Sequence, residues 1–318
     1  MEVKITDNNL AFVFPGQGSQ AVGMLAGLAE SHPEVEATFG SASEVLGYDL
    51  WDLVRHGPAE RLNQTVHTQP AMLAAGVAAW RVWCGQTQAR PGWLAGHSLG
   101  EYTALVCAGA MDFQAAVLLV AERARLMQEA VPADVGAMAA ILGLDDAEVV
   151  EVCARASGDG EIVTAANFND PKQIVIAGHK AAVMRAVDLA KEAGAKRAVV
   201  LPVSVPSHCP LMQAAAERFA ATLEATAIVP PTLAVVHNVD VATHPEPAAI
   251  RAALARQLHG AVRWADSIRH MSQQGVDRFV ECGPGKVLAG LNKRIVPEAK
   301  TENLFDPASL AKALELAP

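Results

Sequence analysis

Residues Gly96-His97-Ser98-Leu99-Gly100 form a G-x-S-x-G pentapeptide between a short apolar run and an amphipathic one. Trp93-Leu94-Ala95 has the character of the end of a buried strand. From Glu101 to Met111, the residues Tyr102, Leu105, Val106 and Gly109 recur at helical spacing. A chain that passes from strand to helix this abruptly is held to an α/β architecture with a sharp turn between the two. A serine on such a turn sits in strained backbone with its Oγ pushed outward, and the flanking glycines permit the close approach. The amides that follow point at the same spot, where a helix start favours negative charge. The pattern alone also fits a glycine-rich turn with an incidental serine, so the rest of the chain decides the chemistry.

At 318 residues the chain exceeds what one core usually supports, which predicts a large domain and a smaller one. Its apolar half, rich in alanine and poor in aromatics, suits helices packed on a sheet. With 25 basic and 34 acidic residues, the formal charge of −9 argues against a nucleic-acid binder and for a soluble protein. Cys84, Cys107, Cys153, Cys209 and Cys282 are scattered and never spaced C-x-x-C, as expected of reduced thiols in a cytoplasmic protein. Cys209, beside His208, reads better as a semi-buried cysteine than as a nucleophile. No histidine spacing suits a metal, so none is expected. The N-terminal residues lack the pattern of a signal peptide, and no apolar run approaches the ~20 residues of a membrane helix.

Ala11–Phe14 reads as a first buried strand leading into the loop Pro15–Gln20. A helix is expected over Pro70–Trp83, with Thr68 as its N-cap and Pro70 near its first turn. A second long helix is expected over Phe113–Ala130. Residues 136–202 have their own rhythm: strand Ala137–Leu142, helix Asp145–Ala156, strands Ile162–Ala166 and Gln173–Ala177 joined by a turn over 167–171, helix Lys180–Glu192, and strand Arg197–Leu201. This β-α-β-β-α-β order is the ferredoxin-like unit. It predicts a small domain over 134–203 inserted into a discontinuous larger domain, 1–133 and 204–318. Around the insert, strands alternate with helices, as in a mostly parallel sheet covered on both faces. No motif is legible after Pro297.

A serine hydroxyl needs a neighbouring base before it attacks an acyl group. His208, in Ser204-Val205-Pro206-Ser207-His208-Cys209-Pro210, lies where the chain leaves the small domain, and loops at such junctions commonly frame a cleft. His97 is a competing base, but its place on the turn suits it better to bracing the loop. Arg123 sits in an otherwise apolar helix. It pairs either with an acid on a solvated face or, through its planar fork, with a substrate carboxylate.

Four segments occur in order: Phe14-Pro15-Gly16-Gln17-Gly18-Ser19-Gln20, Gly96-His97-Ser98-Leu99-Gly100-Glu101-Tyr102, Arg123 ahead of Met127-Gln128-Glu129-Ala130-Val131-Pro132, and Val205-Pro206-Ser207-His208. Together the chain resembles the malonyl-CoA:acyl carrier protein transacylases from residue 11 to about 291. The resemblance implies an α/β-hydrolase-like core with a ferredoxin-like insert. It implies Ser98 as nucleophile, His208 as general base, Arg123 as the grip on the malonyl carboxylate, and the Gln17 and Leu99 amides as the oxyanion hole. Gln257 would orient the histidine through its main-chain carbonyl, so no triad aspartate is needed. Where the family often has Pro-Val-Arg-Trp, this chain has Ala261-Val262-Arg263-Trp264.

The implied reaction is ping-pong, moving malonyl from coenzyme A to Ser98 and then to the phosphopantetheine thiol of acyl carrier protein. It needs no cofactor, metal, nucleic acid or membrane, and a monomer is expected. Docking of an acidic carrier on an acidic enzyme needs a basic patch, for which Lys196, Arg197, Lys286 and Lys293 are the candidates. A serine esterase or thioesterase would share Ser98 and His208, but such hydrolases hold the histidine with a carboxylate and have no use for Arg123. A nucleotide-binding reading of Gly16–Ala21 would require Glu36 at the end of a second strand. A non-catalytic scaffold would have no need of both Ser98 and His208.

Overall fold

Alternate residues of the first strand face two different cores, which puts that strand inside a sheet covered on both sides. Leu10, Phe12 and Phe14 pack with the Thr65–Gln86 helix residues Ala74, Ala75 and Ala78, while Ala11 and Val13 pack with Trp264, Ile268 and Phe279. The structure is a computed structural model that describes residues 5–132, 134–203 and 205–317. Ala133 and Ser204, at the expected domain boundaries, lie outside the described residues.

The strands among the described residues are β1 (Ile5–Phe14), β2 (Ala89–Gly96), β3 (Gly136–Leu142), β4 (Val163–Asp170), β5 (Gln173–His179), β6 (Arg197–Val200), β7 (Ala234–Val236), β8 (Arg278–Cys282) and β9 (Lys300–Leu304). They form a five-stranded sheet in the order β7-β2-β1-β8-β9 and a four-stranded sheet in the order β4-β5-β3-β6. Every pairing in the first sheet is parallel, and every pairing in the second is antiparallel.

The elbow falls where β2 ends and the Gly100–Cys107 helix begins. Its glycines are required by contact. A Cβ on Gly96 would lie 1.8 Å from the Gly100 carbonyl carbon, and one on Gly100 would lie 2.0 Å from the Phe14 carbonyl oxygen. Between them Ser98 has φ 52°, in the left-handed region that a β-substituted residue enters only under constraint.

Two expectations need correction. The first long helix begins at Thr65, not near Pro70, and Thr68 is not its cap. The Thr68 hydroxyl donates back to the carbonyls of Leu62 (2.6 Å) and Gln64 (3.1 Å), a helix-interior habit. Residues 167–170 are not a turn, because β4 continues through Asp170. Two register shifts against β5 accommodate Asn167, Asn169 and Asp170 within the strand. The Asp170 carboxylate is satisfied there by the Lys172 amide at 2.9 Å and Arg294 Nε at 2.6 Å. Residues after Pro297, for which the sequence carries no expectation, supply β9 alongside β8 and the Pro307–Leu314 helix.

The two sheets are tied near the site. Asn167 forms a parallel bridge with Val262, the Phe168 amide donates to the Val262 carbonyl, and the Val262 amide donates to the Ala166 carbonyl (both 2.9 Å). The Ala261–Trp264 segment is thus the seam between the sheets.

Candidate active site

A cavity of about 730 Å³ opens between the two sheets, lined among others by Gln17, Ser98, Arg123, Asn169, His208 and Leu288. It lies beyond the carboxyl ends of β1 and β2, where open α/β sheets present ligand sites. A second cavity of about 320 Å³ lies at the opposite ends of β8 and β9, beside Arg278 and Lys300, and includes none of the candidate residues.

Ser98 and His208, distant in sequence, meet there: Ser98 Oγ and His208 Nε2 are 2.7 Å apart. His208 Nδ1 lies 2.7 Å from the main-chain carbonyl oxygen of Gln257, which can only accept. The hydrogen therefore sits on Nδ1, and Nε2 turns a lone pair to the serine. His208 also adopts a left-handed backbone (φ 62°), fixed by its amide donating to the Leu258 carbonyl at 3.0 Å. Burial, reinforced by the Arg123 charge, pushes the imidazole pKa down to about 3, so it is a free base at neutral pH.

Arg123 is not on a solvated face; it is 1% exposed. Nη1 donates to Gln69 Oε1 at 2.8 Å, and Nη2 donates to Ser98 Oγ at 3.2 Å and Gln257 Oε1 at 3.1 Å. Its carbon centre lies 5.4 Å from the Tyr102 ring centroid. The surface pairing belongs instead to Arg125, which bridges Glu122 and Glu129 on the outer face.

His97 does not serve Ser98. Its Nε2 bonds Asn169 Oδ1 on β4 at 2.8 Å, and its ring stands 5.6 Å from Trp264, so it braces the elbow against the small sheet. Cys209 is buried with its Sγ on the Pro206 carbonyl at 3.1 Å, and burial pushes its thiol pKa up to about 11. That is an inert environment for a thiol. Gln17 follows Gly16, whose added Cβ would be 2.5 Å from the His97 carbonyl oxygen. The Pro15–Gln20 loop therefore lies directly on the elbow. Leu99 opens the helix after Ser98. Lys196, Arg197, Lys286 and Lys293 are all exposed. Lys286 adjoins the cavity residues Val287 and Leu288, whereas Lys196 and Arg197 stand at the start of β6, whose far end leads to the cavity residue Leu201.

Sequence reasoning missed the partners that hold the elbow. Asn238 accepts the Ser98 amide at 2.7 Å and donates to the Gly96 carbonyl at 2.7 Å. Glu101 is completely buried against His237, Asn238 and Gln257. An acid immediately after the second elbow glycine was the available signal for Glu101; Asn238 had none. Glu36 lies within the Glu34–Leu46 helix and ends no strand, which removes the nucleotide-binding reading. Among the described residues no cluster of three histidine, cysteine or carboxylate side chains could hold a metal, and no helix is long and apolar enough to cross a membrane.

Fold and site define an acyl transferase: residues 11–305 match the acyl transferase domain, and the chain belongs to that family. It is 56% identical over 306 residues to the malonyl CoA-acyl carrier protein transacylase of Escherichia coli (strain K12), covering 96% of this chain and 99% of that protein. The transacylase of that name from Bacillus subtilis (strain 168) is 43% identical over 308 residues, 97% of each chain. The crystal structure of an acyl carrier protein S-malonyltransferase from Vibrio cholerae superposes with a TM-score of 0.94 at 57% identity, covering 96% of this chain and 99% of that one. A malonyl-transacylase solved with its type II PKS acyl-carrier protein gives 0.95 at 54% identity, covering 96% and 99%.

Proposed function

We propose that this chain transfers a malonyl group from coenzyme A to the phosphopantetheine thiol of acyl carrier protein, supplying fatty acid synthesis. The observation that carries the reading is one oxygen with two partners: Ser98 Oγ lies 2.7 Å from a basic imidazole nitrogen and 3.2 Å from a buried guanidinium. A cation this close to the nucleophile suits an acyl group whose own charge lies only two bonds beyond its carbonyl. Malonyl has that form; acetyl and long acyl chains do not.

Ser98 Oγ attacks the thioester carbonyl while His208 Nε2 takes the hydroxyl proton. The oxyanion forms between the Gln17 and Leu99 amides and then collapses, and coenzyme A leaves as its thiol with the proton from His208. In the second half, His208 deprotonates the phosphopantetheine thiol as it attacks the serine ester, then returns the proton to Ser98. The carboxylate on Arg123 holds the acyl group in place through both halves. This chemistry calls on no resident metal or cofactor.

The architecture is read as an α/β-hydrolase-like core (1–133 and 204–318) carrying a ferredoxin-like insert (134–203). Support comes from the parallel sheet with Ser98 beyond β2, and from the β4-β5-β3-β6 order of the antiparallel sheet with helices after β3 and β5. Lys196, Arg197, Lys286 and Lys293, all exposed, are the cations offered to an acidic carrier surface, with Lys286 the one adjoining the cavity residues.

A hydrolase reading finds less support, because His208 is held by a carbonyl and not a carboxylate, and the buried Arg123 would have no task. The test is to supply malonyl-CoA with and without phosphopantetheinylated carrier protein. The transferase reading expects malonyl-carrier protein to form many times faster than free malonate. Malonate release at the same rate with or without carrier would establish a thioesterase instead.

A further inference from the structure

Glu101 is 0% exposed and uses both carboxylate oxygens. Oε1 accepts from His237 Nδ1 at 2.7 Å, and Oε2 accepts from the Asn238 amide at 2.9 Å and from Gln257 Nε2 at 2.8 Å. Gln257, also 0% exposed, turns the other end of its amide to Arg123, whose Nη2 donates to Gln257 Oε1 at 3.1 Å. Gln257 Nε2 further donates to the Ser98 carbonyl at 3.0 Å. A buried carboxylate and a buried guanidinium are therefore joined through a single amide that also touches the nucleophile's backbone.

The polarity of that amide is dictated. Oε2 of Glu101 and the Ser98 carbonyl are acceptors, so they hold the NH2 end, and Gln257 Oε1 must face the arginine. The reversed amide would set donors against donors and an oxygen against two acceptors. The arrangement also resolves a conflict of charge. A guanidinium buried with no counter-charge is costly, and its other side-chain partners here, Gln69, Ser98 and the Tyr102 ring, carry no full charge. A direct ion pair with Glu101 would supply that charge but occupy the fork a substrate carboxylate needs. An intervening amide supplies the negative charge at one remove and takes a single bond on Nη2, so that Nε and the second hydrogen of Nη1 stay available to a substrate carboxylate.

We propose that Glu101 is a positioning residue for acyl selection: by locking the Gln257 amide it aims Arg123 at the substrate carboxylate and sets the preference for malonyl over uncharged acyl groups. The proposal rests on the reading of Arg123 given above. It assigns Glu101 no contact with substrate.

The test measures rates of acyl-enzyme formation from malonyl-CoA and acetyl-CoA in wild type, Glu101→Gln, Arg123→Ala and the double variant. Glu101→Gln should lower the malonyl-to-acetyl ratio by about tenfold or more, the scale of one lost charged hydrogen bond. It should lower that ratio no further once Arg123 is alanine. An equal loss for both acyl groups, or the same fall in the ratio without Arg123, would mark Glu101 as merely structural and overturn the proposal. If Arg123→Ala itself leaves the ratio intact, the Arg123 reading fails and takes this one with it. A selective Arg123→Ala beside an unselective Glu101→Gln sinks this inference alone. Gln257→Leu keeps the main-chain carbonyl for His208 and deletes the amide, so it carries the test if Glu101→Gln does not fold. The same fall in ratio is expected of it, and an unchanged ratio overturns the proposal.

Discussion

At the scale of single residues, His208 shows how position sets chemistry. Its pKa falls from 6.5 to about 3 because burial, then the Arg123 charge, penalise the imidazolium. Since the folded value lies below the ordinary one, the base is lost only when the pH falls toward that lower value. The acid limb of kcat/KM should therefore lie well below pH 6.5; a limb centred near 6.5 in a pH-rate series would contradict this. Removing Asn238 is a second test. Asn238→Ala leaves the Ser98 amide and the Gly96 carbonyl without their partners, at about 1–3 kcal/mol for each buried orphan. Chemical denaturation should show that loss of stability, together with a lower kcat. Ser98, His208 and Arg123 were legible because each lies in a short motif with a chemical reason. Asn238 was not, since what singles it out is a bond to an amide 140 residues away.

Elements carry the site by their ends. The Val287–Ile295 helix supplies cavity residues Val287, Leu288 and Leu291, and its first turn is held by Glu281 at the end of β8. The Ala289 amide donates to Glu281 Oε2 at 2.7 Å, while Oε1 is buried without a partner. Burial drives the Glu281 pKa up from 4.5 to about 7, against the pull of the helix amides. The protonated form is favoured in the fold, so this group's contribution to stability is present below pH 4.5 and lost as the pH rises through about 7. Glu281→Gln, neutral throughout, should gain in Tm relative to wild type as the pH rises across that window. A constant difference in thermal melts would refute it. At the elbow, Gly100→Ala should abolish soluble folding, because its Cβ would meet the Phe14 carbonyl oxygen at 2.0 Å; a normal melt would contradict the tight turn. Between Phe113 and Val200 the elements were legible from apolar periodicity to within a few residues, whereas the helices between Ala26 and Leu62 were not. Residues 167–170 were not: asparagine and aspartate before a proline have the composition of a turn, and only bulges, the Val262 bridge and Arg294 keep them in β4.

Over the whole molecule, the cavity exists because two sheets of different kinds face each other across the Val262 seam. The alternation of strands and helices made both sheets legible, including the interruption of one by the other. The pairing of β9 with β8 was not, because Lys300–Leu304 shows little of the apolar pattern of a buried strand. The proposed basic patch spans both parts of the chain. Charge reversal at Lys196, Arg197, Lys286 and Lys293 should raise the KM for carrier protein with little effect on the KM for malonyl-CoA, and more so at low salt. An unchanged KM for carrier protein would place docking elsewhere. The central claim is narrower: Ser98 and His208, brought to 2.7 Å across the inserted sheet, form one nucleophilic pair. Intact-protein mass spectrometry after brief exposure to malonyl-CoA tests it most directly. Wild type should gain one malonyl-sized adduct, Ser98→Ala none, and His208→Ala an adduct only after far longer exposure. An adduct on Ser98→Ala, or one formed at the wild-type rate without His208, would contradict the account.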